Sequence, residues 1–155
     1  MMKILMVCLG NICRSPLAEE VMRSKIKKYG VKAEVDSCGI GRWHVGEPPD
    51  SRAQKTALKH NLNISHQKCR QIIQQDFDRF DVIYAMDNEI FDSLLRIAKQ
   101  GQKPLEKIVL FMNELYPDEN LPVPDPYGGS MLQFEEVWEM IDACCEEIAK
   151  RMSSE

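Results

Sequence analysis

The chain has 155 residues, a mass of 17.9 kDa and a formal net charge of −4. With 44% hydrophobic and 28% charged residues it has ordinary globular usage, at a length that suits one domain over 1–155 with a core of its own. This composition excludes disordered and fibrous chains, an acidic balance does not suggest a nucleic-acid partner, and the apolar run 4–10 is far short of the roughly 20 residues a membrane helix needs.

In chain order, Lys3–Cys8 is a continuous apolar run before a Gly/Asn loop and reads as a buried parallel strand. No small-residue cleavage site follows it, so no secretory signal is expected. Ser15 and Pro16 suit the N-cap and first position of a helix over 15–29. Glu19 and Glu20 are assigned to its first turn, and Gly30 to its stop. Ala33–Ser37 is a second strand, followed by a Gly/Pro-rich loop. Asp50 caps a short helix running toward Asn61. Asp81–Met86 is the third strand. Asp87 caps a helix with Ile90, Phe91, Leu94, Leu95 and Ala98 on one face, closed by Gly101. Lys107–Phe111 is the fourth strand. A proline-rich loop follows, and Ser130 with Gln133 has capping-box spacing for the last helix.

Strands alternating with helices predict an α/β fold. The expected architecture is a single three-layer domain, a four-stranded parallel sheet with helices on both faces and a phosphate loop after the first strand. Ligands in such folds bind beyond the carboxyl ends of the strands, where Cys8 falls.

The charge is uneven along the chain: 13 Lys and Arg against 6 Asp and Glu up to residue 75, and 7 against 18 beyond it. Either the first half offers a basic face to an anion, or folding mixes the halves and cancels the difference. The six cysteines (8, 13, 38, 69, 144, 145) form no C-x-x-C pair, and no histidine stands at zinc-ligand spacing. Reduced thiols in a cytoplasm fit best, and Cys38, Cys69, Cys144 and Cys145 read as structural.

The segment Cys8-Leu-Gly-Asn-Ile-Cys-Arg14-Ser15 is a C-x5-R-S pattern between a strand and a helix. Backbone N–H groups from Leu9 through Ser15, including Gly10, Asn11, Ile12 and Cys13, can converge on one tetrahedral oxyanion. Gly10 and Asn11 tolerate the positive φ such a cradle needs. Arg14 offers a planar pair of donors to two oxyanion oxygens, and Ser15 a hydroxyl to the Cys8 sulfur. The same positive field favours the Cys8 thiolate, a nucleophile beneath a bound phosphoryl group. A general acid is then needed for the leaving group. Asp125, held between Pro124 and Pro126, is the candidate.

Val7-Cys-Leu-Gly-Asn-Ile-Cys-Arg-Ser-Pro16 together with Asp125-Pro-Tyr127 closely resembles the low-molecular-weight protein tyrosine phosphatases. Further matches at Asp36-Ser-Cys-Gly39, Trp43-His-Val-Gly46, Pro49-Asp-Ser-Arg-Ala53, His66-Gln-Lys-Cys-Arg-Gln71 and Asp76…Asp87 extend it over nearly the whole chain. The resemblance implies hydrolysis of phosphotyrosine and aryl phosphates through a phosphocysteine at Cys8. It gives phosphoryl binding to Arg14, and the roles of acid and then base to Asp125. It implies a supporting network of Asn11, Ser15, Ser37 and His66, aromatic pocket walls at Trp43 and Tyr127, and a rim at Leu9 and Ile12. No metal or cofactor is expected. The partners are a phosphotyrosine protein, and phosphate or another oxyanion as a product-like ligand, with no nucleic acid and no membrane. It also implies a reversible Cys8–Cys13 disulfide on oxidation.

Three rivals share features of this pattern. An arsenate reductase has a further relay cysteine pair mid-chain, where only Cys69 stands here. A protein-arginine phosphatase resembles Thr at position 12, where Ile12 suits a flat phenyl ring better than a guanidinium. A binding module without chemistry does not account for Cys8, Arg14 and Asp125 together. Gly128 stands where many eukaryotic members have a second aromatic, which opens the pocket rim.

Overall fold

A computed structural model describes residues 1–155. Its chain order is β1 (Met2–Cys8), α1 (Arg14–Tyr29), β2 (Ala33–Gly39), α2 (Ser51–Lys59), α3 (Asp76–Arg79), β3 (Val82–Ala85), α4 (Asn88–Gln100), β4 (Ile108–Leu110), a 3-10 turn at Phe111–Glu114 and α5 (Met131–Ser153). The four strands pair in parallel in the order β2-β1-β3-β4. The predicted architecture holds.

Strand periodicity builds the two cores. Ile4, Met6 and Cys8 face one side of the sheet and pack with Leu17, Val21, Phe134, Trp138 and Ile141 from α1 and α5. Leu5 and Val7 face the other side, with Phe77, Ile90, Leu94 and Ala98 from α3 and α4. A strand covered on both faces must be apolar throughout, which is why β1 reads as a continuous run. Successive connections leave β1 toward β2 and return past it to β3. The chain therefore reverses direction of progress beside β1, which opens a crevice at the carboxyl end of that strand.

The caps separate right from wrong expectations. Asp50 accepts from Arg52 N at 2.8 Å and Asp87 from Ile90 N at 2.8 Å, and Ser130 with Gln133 forms the capping box. Gly30 closes α1 in the left-handed region at φ 64°. Ser15 is not an N-cap. The helix already starts at Arg14 with Cys13 in the cap position and no capping side chain. Glu19 and Glu20 accordingly lie beyond the first turn, where they pair with Arg23 at 2.8 and 2.5 Å.

Part of the uneven charge is matched between the two halves of the chain. Lys25 reaches Asp142 and Glu146, Lys28 reaches Glu146, and Arg14 reaches Asp87, each a basic residue of the first half meeting an acidic residue of the second.

Candidate active site

The loop after β1 is held from outside. Its carbonyls at Cys8, Leu9 and Ile12 accept from the N–H groups of Ile40, Gly41 and Asp50 at 3.0, 2.9 and 2.9 Å, and the Asn11 carbonyl accepts from the Cys69 thiol at 2.8 Å. With the carbonyls turned outward, the N–H groups of Leu9 through Ser15 find no acceptor within the chain and are left for an anion. A Cβ on Gly39 would come within 2.8 Å of the Leu9 carbonyl oxygen and 2.9 Å of Asn11 N, so the loop rests on bare backbone there.

Asn11 is the hub of this loop. It takes φ 60°, a region asparagine tolerates. Its Nδ2 donates to Ser15 Oγ at 2.8 Å and Ser37 Oγ at 3.0 Å, while its Oδ1 accepts from Arg70 N at 2.9 Å. Gly10, which could also take a positive φ, does not adopt it. Ser37 Oγ in turn donates to Glu19 Oε1 at 2.6 Å. Arg70 is fixed by Asp36 and the fully buried Asp76. The Ser15 hydroxyl, freed from capping, lies 3.0 Å from Cys8 Sγ.

His66 is not part of this network. Its side chain is 62% exposed, and its nearest carboxylate is Glu20 at 4.0 Å. Adjacent residues in this irregular segment point in different directions. It is Gln67 that turns inward, donating to the Pro16 carbonyl at 3.1 Å at the start of α1.

Arg14 is 3% exposed. Its Nη1 donates to Asp87 Oδ2 at 2.6 Å and to the Val123 carbonyl at 2.9 Å, and its Nη2 stands 3.9 Å from Asp125 Oδ2. Burial works against the guanidinium charge, but Cys8, Asp87 and Asp125 outweigh it and hold Arg14 more firmly protonated than a free arginine. Burial, with Asp50 and Cys8 nearby, pushes the Cys13 thiol well above the ordinary cysteine range. Burial likewise raises the Cys69 thiol, to about 11.

Cys8, Leu9, Gly10, Ile12, Cys13, Arg14, Trp43, His44, Asp125 and Tyr127 line one cavity of about 190 Å³. The predicted nucleophile, phosphoryl ligand, acid, rim and aromatic walls thus meet in one place, with His44 beside Trp43 as a further lining residue. Trp43 is 68% exposed, and its indole lies across Gly41, where a Cβ would fall 1.8 Å from the ring. Asp125, 44% exposed, accepts from Tyr127 N at 3.1 Å.

The model of the low molecular weight phosphotyrosine protein phosphatase family matches residues 3–155. The chain belongs to this family of protein tyrosine phosphatases. It is 38% identical over 157 residues to the low molecular weight protein-tyrosine-phosphatase YfkJ of Bacillus subtilis, covering 100% of this chain and 98% of that one. Among solved structures, a protein tyrosine phosphatase from Entamoeba histolytica with Hepes in its active site superposes with a TM-score of 0.90 at 33% identity, over 99% and 98% of the two chains. A Drosophila arginine phosphatase superposes with a TM-score of 0.90 at 34% identity, over 97% of each. In this phosphatase the residues that pattern reading missed are Asp87, Glu19, Arg70 and the Cys69 thiol. Asp87 reads as a helix cap and as the end of a matching segment, and nothing in the sequence joins it to Arg14.

Proposed function

We propose that residues 1–155 act as one catalytic domain that hydrolyses phosphotyrosine in proteins, and simple aryl phosphates, through a phosphocysteine. The observation that carries this reading is the shared cavity: Cys8 lies among unpaired loop N–H groups, with Arg14 and Asp125 beside it and Trp43 and Tyr127 at its mouth.

In the first step the Cys8 thiolate attacks phosphorus, forming an S–P bond as the P–O bond to the phenol breaks. Asp125 gives its proton to the departing oxygen. In the second step Asp125, now a carboxylate, takes a proton from water as its oxygen attacks phosphorus. The S–P bond breaks, releasing phosphate and restoring the thiolate. The loop N–H groups and Arg14 stabilise the charge on the equatorial oxygens in both steps. Ser15 Oγ, 3.0 Å from the sulfur, supports Cys8 as leaving group.

The aromatic walls and the apolar Ile12 favour a phenyl ring over a guanidinium. The likeness to an arginine phosphatase makes phosphoarginine the second substrate to try. Peroxide would convert Cys8 to a sulfenic acid, and attack by the Cys13 sulfur would expel water and leave the Cys8–Cys13 disulfide. Because the reaction needs a free thiol at Cys8, we assign the protein to the reducing cytoplasm.

The test is hydrolysis of p-nitrophenyl phosphate in EDTA by wild type, Cys8→Ser and Asp125→Asn. The expected result is turnover by wild type, none by the serine variant, and a loss of about 10²–10⁴-fold in the asparagine variant, the usual contribution of general acid–base catalysis. Inactive reduced wild type, or an active Cys8→Ser, overturns the mechanism. A phosphotyrosine peptide and free phosphoarginine, compared by kcat/KM, then separate the two substrates.

A further inference from the structure

We infer that Arg52 is a positioning residue that locks the loop bearing Asp125 to the phosphate loop. The inference rests on the general-acid role proposed for Asp125.

Residues 124–129 are weakly tied to the rest of the chain. Two of their hydrogen bonds are internal, Tyr127 N to Asp125 Oδ1 at 3.1 Å and Gly129 N to the Pro126 carbonyl at 2.8 Å. The two that reach another segment are both donated by Arg52, from Nη2 to the Tyr127 carbonyl at 2.6 Å and from Nη1 to the Gly129 carbonyl at 3.1 Å. Gly128 and Gly129 add backbone freedom beside the acid. Without those two bonds the segment is held at its start, where buried Val123 donates to the Met86 carbonyl at 2.7 Å and accepts from Arg14 at 2.9 Å, and by the 3.9 Å approach of Asp125 to Arg14. Its run from Pro126 to Gly129 then has no hydrogen bond to another segment.

Arg52 is itself held. Asp50 takes its Nε at 3.1 Å and its Nη2 at 3.0 Å, and the guanidinium lies over the rings of Phe134 at 4.8 Å and Tyr127 at 5.6 Å. Asp50 is anchored to the phosphate loop, because its N–H donates to the Ile12 carbonyl at 2.9 Å. A continuous chain therefore runs Ile12–Asp50–Arg52–Tyr127/Gly129. It joins the loop that holds the phosphoryl group to the loop that supplies the proton. A planar, forked guanidinium can grip one carboxylate and two carbonyls while lying flat on a ring, which an ammonium cannot.

A poorly placed acid slows departure of a poor leaving group more than a good one, and this separates positioning from general damage. The experiment measures kcat/KM of wild type, Arg52→Met, Arg52→Lys and Asp50→Asn with 2,4-dinitrophenyl, p-nitrophenyl and phenyl phosphate. Inhibition by inorganic phosphate reports the integrity of the phosphate loop, and Asp125→Asn serves as reference. Asn preserves the α2 cap, so Asp50→Asn loosens Arg52 without unseating the helix.

We expect Arg52→Met to lose about tenfold or more with phenyl phosphate and under about threefold with the dinitrophenyl ester, with phosphate inhibition within about threefold of wild type. Arg52→Lys and Asp50→Asn should show the same slope in weaker form. If Arg52→Met does not fold, the other two decide. An equal loss across the three esters, or none, overturns the positioning role while a steep slope in Asp125→Asn leaves the acid assignment standing. A flat slope in Asp125→Asn overturns that assignment and this inference with it.

Discussion

Arg14 and Asp87 lie 2.6 Å apart, although 73 residues separate them. The carboxylate serves two elements at once. Its Oδ1 caps α4 through Ile90 N, and its Oδ2 aims the phosphate-binding guanidinium. The helix start after β3 thereby orients a side chain from the loop after β1.

Asp87→Asn keeps a good N-cap but loses the charge that aims Arg14. It should lower kcat/KM for aryl phosphates by about tenfold, worth about 1.4 kcal/mol, with little change in the urea midpoint. Asp87→Ala removes the cap as well and should cost about 1 kcal/mol or more of stability. Equal activity of Asp87→Asn and wild type would contradict the aiming role.

The chain Asn11–Ser37–Glu19 is buried. Ser37→Ala leaves Glu19 Oε1 without its donor and Asn11 with one partner fewer. A loss of about 1–3 kcal/mol in urea unfolding is expected, together with weaker inhibition by phosphate. His66→Ala should change neither, since His66 stands outside the network.

Thiol chemistry should be selective. Burial pushes the thiols of Cys13, Cys38, Cys144 and Cys145 well up, and Cys69 to about 11. At neutral pH these stay protonated and resist an alkylating agent from solution, although Cys13 can still resolve a sulfenic acid formed beside it on Cys8. Iodoacetate should add one equivalent at Cys8, and inorganic phosphate should protect it. Mass spectrometry of digested protein checks the site, and label on Cys13 in the native protein would contradict this account.

Asp50 carries a pH dependence. Burial raises its carboxyl, but the hydrogen bonds from Arg52 outweigh burial and leave it below the ordinary aspartate range. A lowered folded-state value adds stability above the unfolded value of about 3.9 and loses it as pH falls through the folded value. The stability gap between wild type and Asp50→Asn should therefore be full at pH 7 and shrink below about pH 4. Urea titrations at pH 7 and pH 3 read it directly.

Gly41→Ala should lift the Trp43 indole from its seat, because a Cβ there meets the ring. The exposed ring can swing aside, so folding should survive. KM for aryl phosphates should rise about threefold or more with kcat nearly unchanged, the pattern of lost binding rather than lost chemistry. Tryptophan fluorescence should shift with it.

Local chemistry was legible wherever the parts are neighbours in sequence. The strands, the Asp50 and Asp87 caps, the Ser130–Gln133 box and the Gly30 stop follow from short-range signals and appear as expected. Ser15 misled for a local reason. Its hydroxyl has two competing uses, and the structure uses it beside Cys8 and Asn11 rather than as a cap. His66 misled because an irregular segment has no periodicity to tell which of two adjacent side chains turns inward.

By itself the sequence determined the alternation of strands and helices and the cradle from Cys8 to Ser15. The eight residues from Cys8 to Ser15, running from the end of a buried strand into a helix, have few ways to run, so connectivity alone brings sulfur, amides and guanidinium together. Tertiary structure decided the rest. Arg14 finds Asp87, Ser37 finds Glu19, and Arg52 finds Tyr127 and Gly129 only after the crossovers place their elements side by side. Those pairings depend on sheet order and on helix phase, which turns about 100° with each residue, and neither is written in any short stretch of chain.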